Sequence, residues 1–111
     1  MTDNATMTIS ELAKAIITLA SEKNVMLVLA ESCTGGMIAA ALTDIAGSSA
    51  VLDRGLVTYS NQAKQDLLGV SDDILASHGA VSVETAIAMT SGALMKTPAA
   101  QLAASVTGIA G

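Results

Sequence analysis

Val25-Met-Leu-Val-Leu-Ala-Glu-Ser-Cys-Thr-Gly-Gly36 is the stretch that decides the fold. Its first part, Val25–Ala30, is an uninterrupted apolar run, short enough to be a strand and apolar enough to be covered on both faces. Glu31–Gly36 then breaks the run with polar residues and two adjacent glycines. The small-residue segment Met37–Ile45 follows as a helix, stopped by Gly47. Strands alternating with helices in this way indicate a layered α/β domain with helices covering a sheet.

The same alternation recurs outward from this stretch. Upstream, Thr8-Ile-Ser-Glu11 fits a capping box for a helix over residues 9–22, with Ile9, Leu12, Ala13, Ile16, Ile17 and Ala20 on one face. Downstream, residues 50–60 hold a second strand, most strand-like at Gly55-Leu-Val-Thr-Tyr59. Asn61 is placed to cap a helix that runs to Leu68 and ends at Gly69. Ser71 caps a short helix towards His78, and Ser82 caps a longer one over residues 83–96, closed by Thr97-Pro98. Residues 101–106 form a third strand that enters Thr107-Gly-Ile-Ala-Gly111. The expected fold is a three-layer α/β/α sandwich with a mixed sheet, incomplete at its C-terminal end because no helix follows the last strand.

Composition narrows the functional classes. The 111 residues suit one small domain; 51% are of the apolar class and 14% are charged, with a formal net charge of −5. Trp and Phe are absent, and Tyr59 is the sole aromatic residue. An acidic chain without basic runs or stacking side chains is a poor nucleic-acid binder. No apolar stretch reaches the roughly 18 residues of a membrane span. The first residues, Met1-Thr-Asp-Asn-Ala-Thr-Met7, lack the pattern of a signal peptide. A single cysteine, Cys33, excludes an intrachain disulfide and fits a reducing compartment, so a cytoplasmic location is expected. No Cys/His cluster has metal-site spacing, so no metal is expected.

Three polar clusters each follow a strand, the edge at which α/β sheets bind ligands. Ser32, in Glu31-Ser-Cys-Thr-Gly-Gly36, is either a nucleophile with helix-start amides beside it or part of an ordinary capping turn. Lys64, in Tyr59-Ser-Asn-Gln-Ala-Lys64, falls in a helix first turn, third after an Asn61 cap. A cation there opposes the helix dipole, which favours the neutral amine, and partial burial acts in the same direction. Lys64 is therefore either a general base or a surface lysine. Thr107-Gly108 follows the third strand and completes the trio. Cys33 reads as a buried inert thiol, His78 as a partner of its helix C-terminus, Asp53-Arg54 as a strand-end ion pair, and Asp72-Asp73 as a capping feature.

Ala30-Glu-Ser-Cys-Thr-Gly-Gly36, Asp44-Ile-Ala-Gly-Ser-Ser49, Gly55-Leu-Val-Thr-Tyr-Ser-Asn-Gln-Ala-Lys64, His78-Gly-Ala-Val-Ser82 and Ser105-Val-Thr-Gly-Ile-Ala-Gly111 resemble successive blocks of the CinA carboxy-terminal domain family. Its stand-alone members include nicotinamide mononucleotide deamidases. The resemblance implies hydrolysis of the carboxamide of nicotinamide mononucleotide to nicotinic acid mononucleotide and ammonia, without cofactor. Ser32 would be the nucleophile and Lys64 its base, with Tyr59 and Thr107 assisting. Thr34, Gly35, Gly36 and Gly108 would bind the oxyanion or the substrate phosphate. The family pattern continues beyond this last loop with further strands, a basic segment and a helix. The expectation is thus a single domain over residues 1–111, cut short after its final loop, self-associating and weakly active at most. The competing readings are a non-catalytic nucleotide-binding or protein-interaction module, and an inactive fragment.

Overall fold

The computed structural model describes residues 6–109. Met1–Ala5, which include most of the segment read for a signal peptide, and the last two residues of the final glycine-rich loop lie outside them. The chain forms α1 (Ile9–Glu22), β1 (Leu27–Glu31), α2 (Met37–Thr43), a 3-10 turn (Ser48–Ala50), β2 (Leu52–Val57), α3 (Asn61–Leu68), α4 (Asp72–His78), α5 (Val83–Lys96) and β3 (Leu102–Val106).

The sheet has the order β2-β1-β3, and both pairings are parallel. The expectation of a mixed sheet is thereby corrected for the described residues. Each connection between strands contains helix: α2 returns the chain to the start of β2, and α3, α4 and α5 return it to the start of β3. Such a crossover brings the next strand in with the same direction, whereas an antiparallel partner follows a hairpin-like reversal. Glu31 pairs with Val57 on one side and Val106 on the other, so all three strands end in line. Ser32, Thr58 and Thr107 are the residues that step off this common carboxyl edge.

All five residues of β1 are buried, and their side chains alternate between two cores. Leu27 and Leu29 pack with Ala13, Ile17 and Ala20 of α1 and Leu42 of α2. Val28 and Ala30 pack with Leu68, Val70, Met89 and Ala93 below the α3–α5 layer. The three-layer arrangement holds, with α1 and α2 on one face and α3 and α5 on the other. These cores consist of small aliphatic groups, and Met89 is the largest apolar side chain wholly enclosed in them. Truncating such a side chain to Ala costs about 2–5 kcal/mol.

Local signals set most helix ends. Thr8 accepts from the Glu11 amide while Glu11 reaches back, closing the capping box, and Ser71 and Ser82 cap α4 and α5. The cap of α3 is Ser60, whose Oγ accepts from the Ala63 amide at 3.0 Å, and not Asn61. Ser60 has the extended backbone a cap requires, while Asn61 is already helical. α2 is shorter than expected because Ile45 turns back on the Leu42 carbonyl and Gly47 adopts φ +89°, starting the 3-10 turn.

One contact fixes the height of α3 against α5. A Cβ at Gly92 would lie 1.9 Å from the carbonyl oxygen of Leu68, so the two helices approach through bare backbone. Lys64 sits one turn before Leu68 and is positioned by the same packing. Among the described residues no helix is long and apolar enough to cross a membrane.

Candidate active site

The carboxyl edge of the sheet assembles the site. The Ser32 amide donates to the Val106 carbonyl at 3.0 Å, and the Thr58 amide donates to the Glu31 carbonyl at 2.7 Å. Ser32 is therefore held by sheet hydrogen bonding at its amino side and turns away immediately after. Opposite it, α3 projects Lys64 across the edge. Lys64 is only 2% exposed, and its Nζ lies 3.0 Å from Ser32 Oγ, 3.1 Å from the Thr58 carbonyl oxygen and 3.4 Å from that of Tyr59.

Those three neighbours define what the amine can do. Two are carbonyls, which only accept; the third is a hydroxyl, which can donate or accept. A neutral amine donates its two hydrogens to the carbonyls and turns its lone pair to the Ser32 hydroxyl. A protonated amine donates to all three oxygens. Both states are satisfied without rearrangement, as a proton-transfer centre requires. Burial lowers the Lys64 pKa from its ordinary value, opposed by the electrostatic influence of nearby Cys33. Desolvation thus supplies the shift, with Lys64 at the fourth helical position after Ser60 rather than the third after Asn61.

The turn after Ser32 has an internal anion. Glu31, 1% exposed, accepts from the Thr34 hydroxyl at 2.7 Å and the Ile38 amide at 3.0 Å on Oε1, and from the Ala39 amide at 2.9 Å on Oε2. Burial works against its ionisation. The hydrogen bonds from Thr34, Ala39, Ile38 and the Gly36 amide outweigh burial, and its pKa falls below the usual glutamate value. Sequence reasoning missed this residue. Its signal was an acidic side chain ending an apolar strand just before a helix start, where N-terminal amides attract a carboxylate.

The other candidates are placed as follows. Gly35 and Gly36 have φ +60° and +104°, which a side chain would strain, and so allow the turn. The Gly35 amide donates to the Ser32 carbonyl at 3.0 Å. The amides of Cys33 and Thr34 have no backbone acceptor among the described residues. Thr107 Oγ1 donates to the Ala80 carbonyl at 2.7 Å, tying the end of β3 to the loop before α5. Gly108 packs on Cys33, whose Sγ would lie 3.0 Å from a Cβ there. Tyr59 contributes its carbonyl to Lys64, and the residue is 59% exposed. Ser32 and Lys64 therefore converge, Gly108 lies against the neighbouring Cys33, and the Thr34 and Thr107 hydroxyls are engaged in structural bonds.

The remaining polar residues lie apart from this centre. Asp53 and Arg54 pair with each other, and His78 Nδ1 lies 3.7 Å from Glu84 Oε2. Cys33 is half-buried beside the site, not enclosed. No cluster of three or more His, Cys, Asp or Glu side chains could hold a metal among the described residues. An apolar cavity of 270 Å³ between α1 and α2 reaches Thr34, but neither Ser32 nor Lys64 lines it.

The sequence and the fold both have counterparts among known proteins. The family model described as "CinA C-terminal domain" matches residues 9–111. The chain is 47% identical, over its whole length, to 65% of the nicotinamide-nucleotide amidohydrolase PncC of Escherichia coli strain K12. It is 55% identical over 97 residues to a CinA-like protein of Geobacter sulfurreducens, covering 87% of this chain and 23% of that one. The chain therefore spans about two thirds of the first relative and about a quarter of the second. Among crystal structures, the competence/damage inducible protein CihA of Agrobacterium tumefaciens superposes with a TM-score of 0.86 at 55% identity, over 93% of this chain and 62% of that one. The competence damage-inducible protein A of Klebsiella pneumoniae superposes with a TM-score of 0.91 at 39% identity, over 95% and 65%.

Proposed function

The chain belongs to the CinA C-terminal domain family, and from that membership we propose that it carries an amidohydrolase centre acting on the carboxamide of nicotinamide mononucleotide. The products are nicotinic acid mononucleotide and ammonia. The observation that carries the proposal is the 3.0 Å approach of buried Lys64 Nζ to Ser32 Oγ at the carboxyl edge of the sheet. The amidohydrolase name of the Escherichia coli relative supports the substrate class.

In the proposed reaction neutral Lys64 takes the Ser32 proton while Oγ attacks the amide carbon. The carbonyl pair moves onto oxygen, giving a tetrahedral intermediate. The carbon–nitrogen bond then breaks, the nitrogen takes the proton from Lys64, and ammonia leaves. Water attacks the resulting ester with Lys64 again as base, and the acid and free Ser32 are released. Base and nucleophile both come from the chain, so the proposed steps call for no cofactor. The Thr58 and Tyr59 carbonyls, 3.1 and 3.4 Å from Nζ, stabilise the transient ammonium.

Of the groups assigned to the oxyanion or phosphate, Gly35 and Gly36 already commit their amides to the Ser32 carbonyl and to Glu31. The amides of Cys33 and Thr34, with the Gly108 backbone beside them, are the proposed oxyanion donors. Thr107 assists through its oxygen, which can still accept while donating to Ala80. Tyr59 assists through its carbonyl, and its exposed ring is available to the substrate. The protein is proposed to work in the cytoplasm, without nucleic-acid partners. Exposed Val83 and Ile87, one turn apart on α5, support self-association, which sedimentation would measure. The same apolar surface favours the second reading, a protein-interaction module.

Ammonia release from nicotinamide mononucleotide separates the two. Turnover by the parent chain that disappears in Ser32→Ala supports the amidohydrolase. Turnover that persists in Ser32→Ala removes the nucleophile assignment, and none in either chain removes nicotinamide mononucleotide as the substrate.

A further inference from the structure

Ser32 is held firmly on one side only. Its amide is bonded to β3, but the chain beyond it enters a turn containing two glycines at positive φ, Gly35 and Gly36, where backbone freedom is greatest. Two backbone hydrogen bonds brace that turn, Gly35 to Ser32 at 3.0 Å and Met37 to Thr34 at 3.1 Å. The third brace is the Glu31 carboxylate, one residue before Ser32. It reaches over the turn to the Thr34 hydroxyl and to the Ile38 and Ala39 amides, seven and eight residues on. The Glu31 carbonyl also accepts from the Thr58 amide at 2.7 Å, and the Thr58 carbonyl in turn receives Lys64 Nζ at 3.1 Å. Glu31 thus joins the nucleophile turn, the start of α2 and the strand end that holds the base.

We propose that Glu31 is a positioning residue for Ser32: its carboxylate closes the turn onto α2 and so holds Ser32 Oγ at 3.0 Å from Lys64 Nζ. The inference rests on the reading of Ser32 as nucleophile. An acceptor-only group suits the place, because Thr34, Ile38 and Ala39 all present donors. In Glu31→Gln one oxygen becomes an NH₂, which cannot accept from the Ile38 amide or from the Ala39 amide, whichever it faces, while the Thr34 hydroxyl can turn and accept. The turn then loses a brace in the absence of any change in side-chain length. The Glu31 carboxylate is not among the hydrogen-bond partners of Lys64 Nζ and reaches the site only through Thr34 and the turn, so its effect is on geometry rather than on proton transfer.

The test compares parent, Glu31→Gln and Thr34→Val in the full chain, with a fluorophosphonate probe for Ser32 and ammonia release for turnover. A displacement of about 1 Å costs roughly 100-fold in rate, so a partial slackening predicts a fall of about 10- to 100-fold in labelling and kcat for Glu31→Gln. KM and the midpoint of the acidic limb of the pH–rate profile stay unchanged. Thr34→Val, which loses one of the bonds, falls in the same direction by a smaller factor. Parent-like labelling by folded Glu31→Gln overturns the proposal, as does a raised KM at constant kcat or a displaced acidic limb. If Glu31→Gln does not fold, parent-like labelling by Thr34→Val overturns it. A parent chain that labels at Ser32 but releases no ammonia removes only the substrate assignment, and the labelling comparison still decides on Glu31. A parent that does not label removes the nucleophile and this inference together.

Discussion

Alanine at Gly92 tests whether α5 sets the height of Lys64. The new Cβ would stand 1.9 Å from the Leu68 carbonyl oxygen, 2.7 Å from its carbon and 3.0 Å from its Cα. A carbon–oxygen contact relaxes near 3.3 Å, so α3 and α5 must separate by about 1.4 Å. Backbone cannot swing aside as a side chain can, and Leu68 is the last residue of α3, one turn beyond Lys64. Alanine gains about 1 kcal/mol of helix propensity over glycine. Overpacking costs typically 1–3 kcal/mol and occasionally more, so with backbone as the obstacle a cost of about 2–4 kcal/mol is expected. The net expectation is a loss of about 1–3 kcal/mol, or a Tm lower by roughly 4–8 °C per kcal/mol for a domain of this size. If half the separation reaches Nζ, a displacement of about 0.7 Å lowers turnover by roughly 10- to 30-fold. Urea unfolding gives the first quantity, and ammonia release with fluorophosphonate labelling gives the second. Gly47→Ala is the control: it strains a φ of +89° but meets nothing within 4 Å, so it lowers stability and spares the rate of the folded fraction. Parent-like stability and turnover in Gly92→Ala would refute the argument that bare backbone contact positions Lys64.

Further outcomes follow from the site. Ser32→Ala should abolish ammonia release while leaving far-UV circular dichroism and the unfolding midpoint near those of the parent; measurable turnover at the parent rate contradicts the mechanism. Because burial lowers the Lys64 pKa, turnover should fall as pH drops through that lowered value and level off above it, and a rate independent of pH on the acid side contradicts the neutral base. Between the lowered value and the ordinary lysine value the unfolded chain binds more protons, so stability rises with pH there. Lys64→Met should remove that slope together with the activity, as unfolding titrations would show. Glu31 has the acid counterpart: its stabilisation is complete above the ordinary glutamate pKa and is lost as pH falls through the lowered folded value. Glu31→Gln should therefore flatten the acid limb of the stability profile, and an unchanged limb argues against an ionised Glu31.

What was legible in the residues was what neighbours in sequence decide. The boundaries of α1 and α5, the capping box at Thr8 and the caps at Ser71 and Ser82 follow from side chains that bond amides two or three positions away. The fully buried β1 followed from an unbroken apolar run, and the strand-to-helix position of Ser32 followed from the glycines after it. Even the choice between Ser60 and Asn61 as cap lay outside such reading, because both side chains can cap and the backbone entering from β2 selects one. Sheet direction was not written in the strands, since parallel and mixed sheets bury the same apolar residues; it followed from the helical crossovers between them. Lys64 was legible as a residue of unusual place, but whether it is buried or at the surface was set only by packing. The amine reaches Ser32, 32 positions earlier, because α3 lies on α5 at Gly92 and crosses the carboxyl edge of β1. Glu31 was hidden for the same reason. A carboxylate is costly to bury unless donors surround it, and those donors exist only once α2 has folded back over the turn. Local hydrogen bonding, written in the sequence, determined the elements and the turn that carries Ser32. Long-range packing, which sums contacts across the chain, decided which groups lost water and which charges met.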